Sequence, residues 1–459
     1  MNRRQLLGLA ATATVAMAGV GRAWAQQADP VAALTECIDH HRKYRACFAT
    51  KFRTGFCDFS GFDGQPTTPE KLLRMLTVGG ARLEQLSQRG PTAALLYHLR
   101  DDGPMDVFLL DRDGPVAFER TQGDIAAMLG GLRVTLDLET RAATRGATAI
   151  VRKKEAPEVA ALAVGIAAVS ERLLPGSVGR RLASGGYERL LVLPSGAVGQ
   201  APLSALVLAD GRALIDQASI LLLADPEALF LNEDNFPDVS MAAEAMTFDT
   251  RSVFSGSKLL VGNPAFGKVE GWRLPPLPGA EAEIRSVATE LAADDVLTGK
   301  AASQKKILAS LRQMQESGGI AYFATHGVSD AVNPMDGSFL AVAGGLLRGQ
   351  QIRKLRMVYR HPLVVMSACQ SGLGKTFGGG GYGLARAWYA AGAGQVVGSL
   401  WNVSDEGTSY MMTRFARALA GGGETVEGAL RLAMQQTRDN FSSDPAIWAS
   451  FTSFGNPGA

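Results

Sequence analysis

The chain has 459 residues, of which 46% are hydrophobic and 20% are charged. This composition is ordinary for a packed globular protein, and the length allows two or three domains or one large composite. The formal net charge is +2, and the sequence has no block of like charge and no basic stripe. These features argue against a nucleic-acid-binding protein, which usually carries a basic face.

The first 26 residues differ from the rest of the chain. They contain Arg3 and Arg4, a mild Ala/Gly/Leu segment, and the letters AWA just before residue 26. This order of charged region, apolar region and A-x-A site is typical of a cleavable export signal, and the twin arginines favour the twin-arginine route. The apolar run is short and weak for a spanning helix. We therefore expect residues 1–25 to be a signal peptide and the mature protein to be periplasmic, with no membrane anchor.

Residues 26–90 form a polar N-terminal segment that contains three of the four cysteines, Cys37, Cys47 and Cys57. In an oxidising compartment one pair among the three is expected to form a disulfide, and the sequence does not say which pair. Metal binding by the trio is a weaker alternative, because the spacing of ten matches no common ligand pattern. The amphipathic run PEKLLRMLTVGGARLEQLSQ indicates that the segment is a small helical appendage.

From about residue 91 to residue 250, strand patterns alternate with helix patterns. The predicted strands are AALLYHLR, the two halves of MDVFLLDRDGPVAFERT, ERLLVLPSG and the start of ASILLLADPEALFLN. The predicted helices are GDIAAMLGGLRVTLDL and PEVAALAVGIAAVSERLL. Residues 237–256 are polar and irregular, which predicts a surface loop and a possible internal boundary.

The same alternation is stronger in residues 257–459. The predicted strands are KLLVGNP, DVLTG, GIAYFATHG, GSFLAV, HPLVVMSAC and QVVGSLWNV, and LLRGQQIRKL is predicted as a helix-like connector. The predicted helices are AEAEIRSVATELA, ASQKKILASLRQM, YGLARAWYAAGA, DEGTSYMMTRFARALAGG and TVEGALRLAMQQTRD. Continuous apolar strands between amphipathic helices predict an α/β fold with a mostly parallel sheet covered on both faces.

His326 and Cys369 each come directly after one of these apolar strands, 43 positions apart. In open α/β sheets the chemistry lies at the carboxyl ends of the strands, so neighbouring strands would bring the two side chains to one rim. An imidazole beside a thiol supplies the base that makes a cysteine nucleophilic. The N–H groups of Gly327 and Cys369 are the predicted oxyanion donors. The distant Cys369 is also open to oxidation or to pairing with an N-terminal cysteine.

The remaining chemical motifs are weaker. His40, His41, His98 and His361 are interpreted as structural or surface histidines. The run GLGKTFGGGG ends like a phosphate-binding loop but lacks the first glycine and the following helix, so we interpret it as a mobile segment beside the site. Ser195 lies in LPSGAVG, which lacks the G-x-S-x-G elbow of a serine hydrolase. We predict neither a metal nor a cofactor.

The blocks IAYFATHG, PLVVMSACQSGLG, GYGLARAWYAAGAGQVVGSLWNVSDEGTS and AIWASFTSFG occur in this order. Together with LLVLPSGAVGQAPLSAL, KLLVGNP and LPGAEAEI they resemble the CHAT family of caspase-like cysteine peptidases, in the clan of caspases and separases, over residues 92–456. The resemblance implies a caspase-like three-layer sandwich preceded by a related non-catalytic half. It also implies His326 as the catalytic histidine, Cys369 as the nucleophile, Gly327 as an oxyanion donor and a polypeptide as the substrate.

Asp405 matches the family's aspartate after the SLW block, and we assign Asp405, Gln370 and Ser367 to the substrate pocket. The alternative for Asp405 is that it is only the N-cap of the following helix. The chain departs from the family at Gln370, where relatives often carry an acid, and in GGGGYG, where they often carry a glutamate. It also lacks the helical repeats that often accompany this domain. These departures leave open a second function, that of a binding or scaffold module without turnover.

Overall fold

The protein is described here by a computed structural model, which covers residues 29–54, 66–141, 156–230, 247–293, 295–357 and 360–458. The strands are β1 Thr92–Leu99, β2 Met105–Asp111, β3 Gly114–Thr121, β4 Arg189–Leu193, β5 Ser219–Leu223, β6 Ser257–Pro264, β7 Gly267–Val269, β8 Trp272–Leu274, β9 Asp295–Gly299, β10 Gly319–Ala324, β11 Gly327–Val328, β12 Phe339–Val342, β13 Gly345–Arg348, β14 Leu363–Ser367, β15 Gly374–Phe377, β16 Gly380–Gly383, β17 Gln395–Ser399 and β18 Phe451–Gly455.

The helices complete the secondary structure of the described residues. They are α1 Pro30–Thr54, α2 Pro69–Leu86, α3 Ile125–Arg141, α4 Ala156–Leu173, α5 Gly176–Ser184, α6 Leu214–Gln217, α7 Thr250–Ser255, α8 Pro278–Leu291, α9 Gln304–Ser317, α10 Gly349–Ile352, α11 Leu384–Ala390, α12 Asp405–Ala420, α13 Val426–Asn440 and α14 Pro445–Trp448. Short 3₁₀ turns lie at Ser87–Arg89, Gly196–Gln200, Leu203–Ala205 and Pro226–Ala228.

Eleven strands form one sheet in the order β3-β2-β1-β4-β5-β18-β17-β14-β10-β6-β9. Neighbouring strands are parallel except in the pairs β1–β2, β2–β3 and β17–β18. The sheet therefore runs without a break from the N-terminal half to the C-terminal half. This confirms the predicted fold class, a mostly parallel sheet in an α/β protein.

Helices cover both faces of the sheet, as the unbroken apolar strands require. Along β10, Ile320 and Tyr322 belong to one hydrophobic core, whereas Ala321 and Phe323 belong to the core on the opposite face. The first core extends along the whole sheet. The second face has two separate cores, one beneath α9 and α11 and one beneath α1 and α2.

The helical segment before β1 packs directly on the sheet. Leu34 and Ile38 of α1 and Leu83 of α2 join Leu96 of β1 and Leu191 of β4 in one buried cluster. The described parts of this segment, residues 29–54 and 66–90, are mainly helical. They cover strands of the N-terminal half, because their apolar faces bury residues that would otherwise be exposed to water.

The glycine-rich run after Cys369, which the sequence predicts to be a mobile segment beside the site, forms a hairpin, β15–β16. The hairpin tip contacts α1: a β-carbon on Gly379 would lie 2.6 Å from the β-carbon of Tyr44. The ring of Phe48 stacks on Tyr382 with 5.8 Å between the ring centroids. Glycine allows α1 to approach this closely, so the composition reflects packing against a helix distant in sequence.

Two further predictions differ in detail from the structure. The first residues of LLRGQQIRKL form strand β13, which pairs with β12, and only Gly349–Ile352 is helical. Within the predicted loop at 237–256, the described part contains the short helix α7 and the buried Phe248. Residues up to 246 of that loop lie outside the described residues.

Among the helices in the described ranges, none is by itself long and apolar enough to cross a membrane. One pair, Ala161–Leu173 and Gly176–Ser184, meets the length and composition only when taken together, and it is bent by 99°.

Candidate active site

Strands β10 and β14 are parallel neighbours, and their register pairs Ala324 with Ser367. His326 and Cys369 each lie two residues beyond that pair, at equivalent positions on the same rim of the sheet. Adjacent strands are about 4.8 Å apart, so the two backbones leave the sheet side by side. His326 is 9% exposed and Cys369 is half-buried.

His326 is held by contacts on several sides. Its carbonyl oxygen accepts a hydrogen bond from the N–H of Ala341 at 2.9 Å, and its ring lies 4.8 Å from the ring of Phe266. The Nε2 atom lies 2.9 Å from the carbonyl oxygen of Pro275. Because a carbonyl only accepts, Nε2 carries a proton, and in the neutral ring Nδ1 then carries the lone pair.

The chain turns sharply after Cys369. Gln370 adopts the left-handed region with φ of 54°, and its N–H donates to the carbonyl of Trp401 at 3.3 Å. The Ser371 hydroxyl donates to the carbonyl of Met366 at 2.9 Å. The turn is therefore tied both to its own strand and to the end of β17. A non-glycine residue at positive φ is a strained conformation that often occurs at functional sites.

Gly327 lies where the loops after β10 and β14 meet. A β-carbon at this position would lie 2.7 Å from the carbonyl oxygen of Cys369 and 3.0 Å from the β-carbon of Ala368. Gly327 faces Leu340 in the antiparallel β11–β12 pair, next to the hydrogen-bonded pair that includes His326. By the alternation of antiparallel ladders, the N–H of Gly327 points away from β12. That N–H is not used by the ladder, which is compatible with the predicted oxyanion role.

The three predicted pocket residues have different environments. Ser367 is fully buried at the last position of β14, and Gln370 is half-buried in the turn. Asp405 is the first residue of α12, but the N-cap is Ser404, whose hydroxyl accepts from the N–H of Gly407. The N-cap alternative for Asp405 is therefore wrong. Its carboxylate lies against Gly279 in the first turn of α8, where a β-carbon would overlap with it. The pocket assignment stays a prediction.

The other histidines have packing partners away from this rim. His40, His41 and His98 cluster where α1 crosses β1, with 4.7 Å between the ring centroids of His40 and His98. His41 Nε2 lies 2.8 Å from the carbonyl of Tyr97, and burial lowers the pKa of His41 to about 3. His361 Nδ1 lies 3.0 Å from the carbonyl of Gly392.

The cysteines differ in redox state. Cys47 is disulfide-bonded, whereas Cys37 and Cys369 are outside any disulfide, and Cys57 lies outside the described residues. Burial raises the pKa of the Cys37 thiol well above its usual range. Within the described ranges, no group of three or more His, Cys, Asp or Glu side chains is arranged to hold a metal ion.

Two contributors to the site were not predicted from the sequence, Pro275 and Phe266, which both contact the ring of His326. Asn263, at the end of β6, hydrogen-bonds the segment that contains Pro275. The only sequence signal for Asn263, Phe266 and Pro275 was their place at the end of, or shortly after, the predicted strand KLLVGNP. The contacts themselves depend on strand order, because β6 becomes a neighbour of β10 only in the folded sheet.

A family model for the CHAT domain matches residues 165–456. Among solved structures, the separase–securin complex of Saccharomyces cerevisiae is similar at 10% identity with a TM-score of 0.53. The match covers 87% of this chain and 32% of that one. The Arg-specific cysteine proteinase gingipain R matches at 12% identity with a TM-score of 0.41, covering 72% of this chain and 75% of that one. No curated protein sequence matches. At this identity the structural likeness concerns the fold alone.

Proposed function

This chain belongs to the CHAT domain family, and on that premise we propose that it is an exported cysteine endopeptidase. Its substrate would be a polypeptide, cleaved through a thioester acyl-enzyme. The observation that carries the proposal is the equivalent placement of His326 and Cys369 beyond the paired residues Ala324 and Ser367. A base and a thiol at one strand-end rim are the minimum that nucleophilic catalysis by cysteine requires.

The proposed reaction has two halves. His326 accepts the thiol proton, and the thiolate of Cys369 attacks the scissile carbonyl, which becomes an oxyanion held by the N–H groups of Gly327 and Cys369. The C–N bond then breaks, the amine leaves with the proton from His326, and a thioester remains. Water, deprotonated by His326, attacks the thioester and releases the acid, which regenerates the thiol. No cofactor takes part in these steps.

The contact between His326 and Pro275 supports this assignment of roles. With the Nε2 proton directed to a carbonyl, the lone pair of a neutral ring is on Nδ1, which is the atom available to receive a proton. When the ring becomes an imidazolium, the same carbonyl still accepts the Nε2 proton. One orientation of the ring therefore serves both protonation states of the reaction.

The test uses a covalent cysteine-protease probe and a peptide library. Wild type should be labelled at Cys369 and should cleave a subset of peptides, whereas Cys369→Ala should do neither and His326→Ala should be labelled much more slowly. A folded wild type that is neither labelled nor active across the library would sink the peptidase proposal. It would support the alternative of a silent binding module, which the uncharged Gln370 mildly favours.

Export is proposed from the sequence features of residues 1–25, which lie outside the described residues. The disulfide at Cys47 is in keeping with an oxidising compartment. Cell fractionation of wild type and of an Arg3→Lys/Arg4→Lys variant tests the twin-arginine route. The wild type should appear in the periplasm without its first 25 residues, and the variant should remain in the cytoplasm. Equal distribution of the two proteins would contradict this route.

A further inference from the structure

Asn263 lies beside the catalytic rim, on a third strand. Strand β6 is the other parallel neighbour of β10, and its register pairs Gly262 with Ala324. Asn263 therefore lies near the end of β6, one residue beyond this pair, at the level where the chain of β10 approaches His326. Its backbone is left-handed, with φ of 43°, a conformation that asparagine adopts more readily than most residues with a β-carbon.

The amide of Asn263 makes two hydrogen bonds to the entry of helix α8. Its Oδ1 accepts from the N–H of Leu277 at 2.7 Å, and its Nδ2 donates to Glu281 Oε2 at 3.1 Å. Leu277 is fully buried and directly precedes the helix, while Glu281 lies in the first turn. The amide thus fixes where the segment before α8 meets the sheet.

That segment carries the acceptor for the catalytic histidine. The carbonyl oxygen of Pro275 lies 2.9 Å from His326 Nε2, and Pro276 separates it from Leu277. Neither proline has an N–H, so the N–H of Leu277 is the first backbone donor by which the turn can be tied down. Asn263 receives that hydrogen bond. Pro275 itself is exposed and gains little fixation from burial.

We propose that Asn263 is a positioning residue for His326, acting through the turn of residues 275–277. By holding Leu277, it keeps the Pro275 carbonyl against Nε2 and so fixes the orientation of the ring, with the lone pair of the neutral ring on Nδ1. This positioning role of Asn263 deepens the proposed peptidase function and rests on it. A misplacement of about 1 Å in a catalytic group costs on the order of 100-fold in rate, so a loosened turn should have a measurable effect.

The experiment measures how fast iodoacetamide alkylates Cys369, followed by mass spectrometry of the peptide that contains it, together with kcat and KM on a substrate from the library. Asn263→Gly keeps the left-handed backbone and removes both hydrogen bonds. We expect its alkylation rate and kcat to fall by roughly 10-fold or more, with KM little changed, because the turn positions the base rather than the substrate. Unchanged rates in this folded variant would overturn the inference.

The matched control is Ala292→Gly. Ala292 is also left-handed, with φ of 50°, but it is exposed at the opposite end of α8, about 20 Å away by the rise of a 14-residue helix. The Ala292→Gly variant should have the alkylation rate and kcat of wild type. If Asn263→Gly does not fold, Asn263→Ala takes its place, because alanine also removes the acceptor of the Leu277 N–H. Its alkylation rate should fall by a similar factor, and an unchanged rate would overturn the inference. Asn263→Asp/Glu281→Gln keeps that acceptor without placing two carboxylates together and should react like wild type, and a rate as low as that of Asn263→Ala would also contradict the inference.

The same alkylation measurement distinguishes failure of the proposed peptidase function from failure of the proposed role of Asn263 alone. If wild-type Cys369 is alkylated no faster than Cys369 in His326→Ala, the proposed peptidase function fails. If wild type is faster than His326→Ala but Asn263→Gly equals wild type, only the role of Asn263 fails.

Discussion

Gly327 and Cys369 are in direct backbone contact: a β-carbon on Gly327 would lie 2.7 Å from the carbonyl oxygen of Cys369. Any side chain at residue 327 would therefore push the histidine loop away from the cysteine loop. The close approach fixes how the two strand ends lie relative to each other. Independently, the alternation of the antiparallel β11–β12 pairing directs the N–H of Gly327 away from β12.

Gly327→Ala should lower kcat/KM by about 10- to 100-fold, since both the dyad and the oxyanion donor are displaced by several tenths of an ångström. Thermal unfolding should change only modestly, because one half-buried loop is affected. Peptide cleavage and a melting curve measure the two effects. Gly130→Ala is the control: its site in α3 has open space, so activity should persist. Full activity of Gly327→Ala would contradict the contact's functional role.

The sequence is informative about this site because its main features are local. Strands β10 and β14 are unbroken apolar runs, and each ends at a polar residue, so His326 and Cys369 could be assigned to strand ends without knowing the strand order. The resemblance in the blocks around them identified the pair. The family match and the parallel sheet confirm the family and the fold class.

The features of the fold and of the site that the sequence does not predict depend on contacts between segments distant in sequence. The contact from Pro275 to His326 depends on β6 lying beside β10, and nothing in the letters GNP or LPPLPG indicates it. The sequence predicts a mobile segment where the β15–β16 hairpin lies, because its glycine run does not begin a helix. Its tip packs on Tyr44 of α1, more than 300 positions earlier, and that packing could not be read from local pattern.

Phe48 joins α1 to the β15–β16 hairpin, which follows Cys369 in the chain. Its ring is 5% exposed, stacks on Tyr382, and lies 4.1 Å from the guanidinium carbon of Arg386. Phe48→Ala should lower the free energy of unfolding by about 3–5 kcal/mol, the range for a buried phenylalanine. It should also speed tryptic cleavage after Lys375, which is exposed in β15. Urea denaturation and limited proteolysis measure these effects.

Val164→Ala serves as the comparison, because Val164 is 70% exposed and its truncation should have little effect. If Phe48→Ala resists trypsin as well as the Val164 variant does, α1 does not restrain the hairpin.

A buried ion pair joins strand β4 of the N-terminal half to helix α13 of the C-terminal half. Arg189 of β4 donates to Glu427 of α13 at 2.6 Å, and both residues are at most 3% exposed. Arg189→Met leaves the carboxylate of Glu427 buried without its cation, so the free energy of unfolding should fall by about 3–5 kcal/mol. Arg189→Met/Glu427→Gln should recover much of the loss. A double variant as unstable as the single one would contradict this account, as measured by urea unfolding.

His41 makes stability depend on pH. Burial lowers its pKa to about 3 in the folded protein, from an ordinary value of 6.5. Between these values the unfolded chain binds more protons than the native one, so stability is lost as the pH falls from 6.5 toward 3. The slope is at most about 1.4 kcal/mol per pH unit for this one group. His41→Gln, which keeps a donor for the Tyr97 carbonyl, should have a shallower slope in urea titrations. Parallel curves would refute the assignment.

Gln370 follows Cys369 directly and is half-buried in the turn after it. If it lines the pocket, Gln370→Glu should shift cleavage toward peptides with Arg or Lys before the scissile bond. A carboxylate forms stronger, charge-assisted hydrogen bonds with those side chains than an amide does. The variant is isosteric and keeps the N–H bond to the Trp401 carbonyl, so folding should be unchanged.

Library profiling of wild type, Gln370→Glu and the uncharged Gln370→Met measures this shift. The preference for basic residues should rise several-fold in the glutamate variant alone, and it should weaken at high salt because the added interaction is ionic. An equal change in both variants would show that the side chain shapes the turn without contacting the substrate. The same profile in all three proteins would remove Gln370 from the pocket.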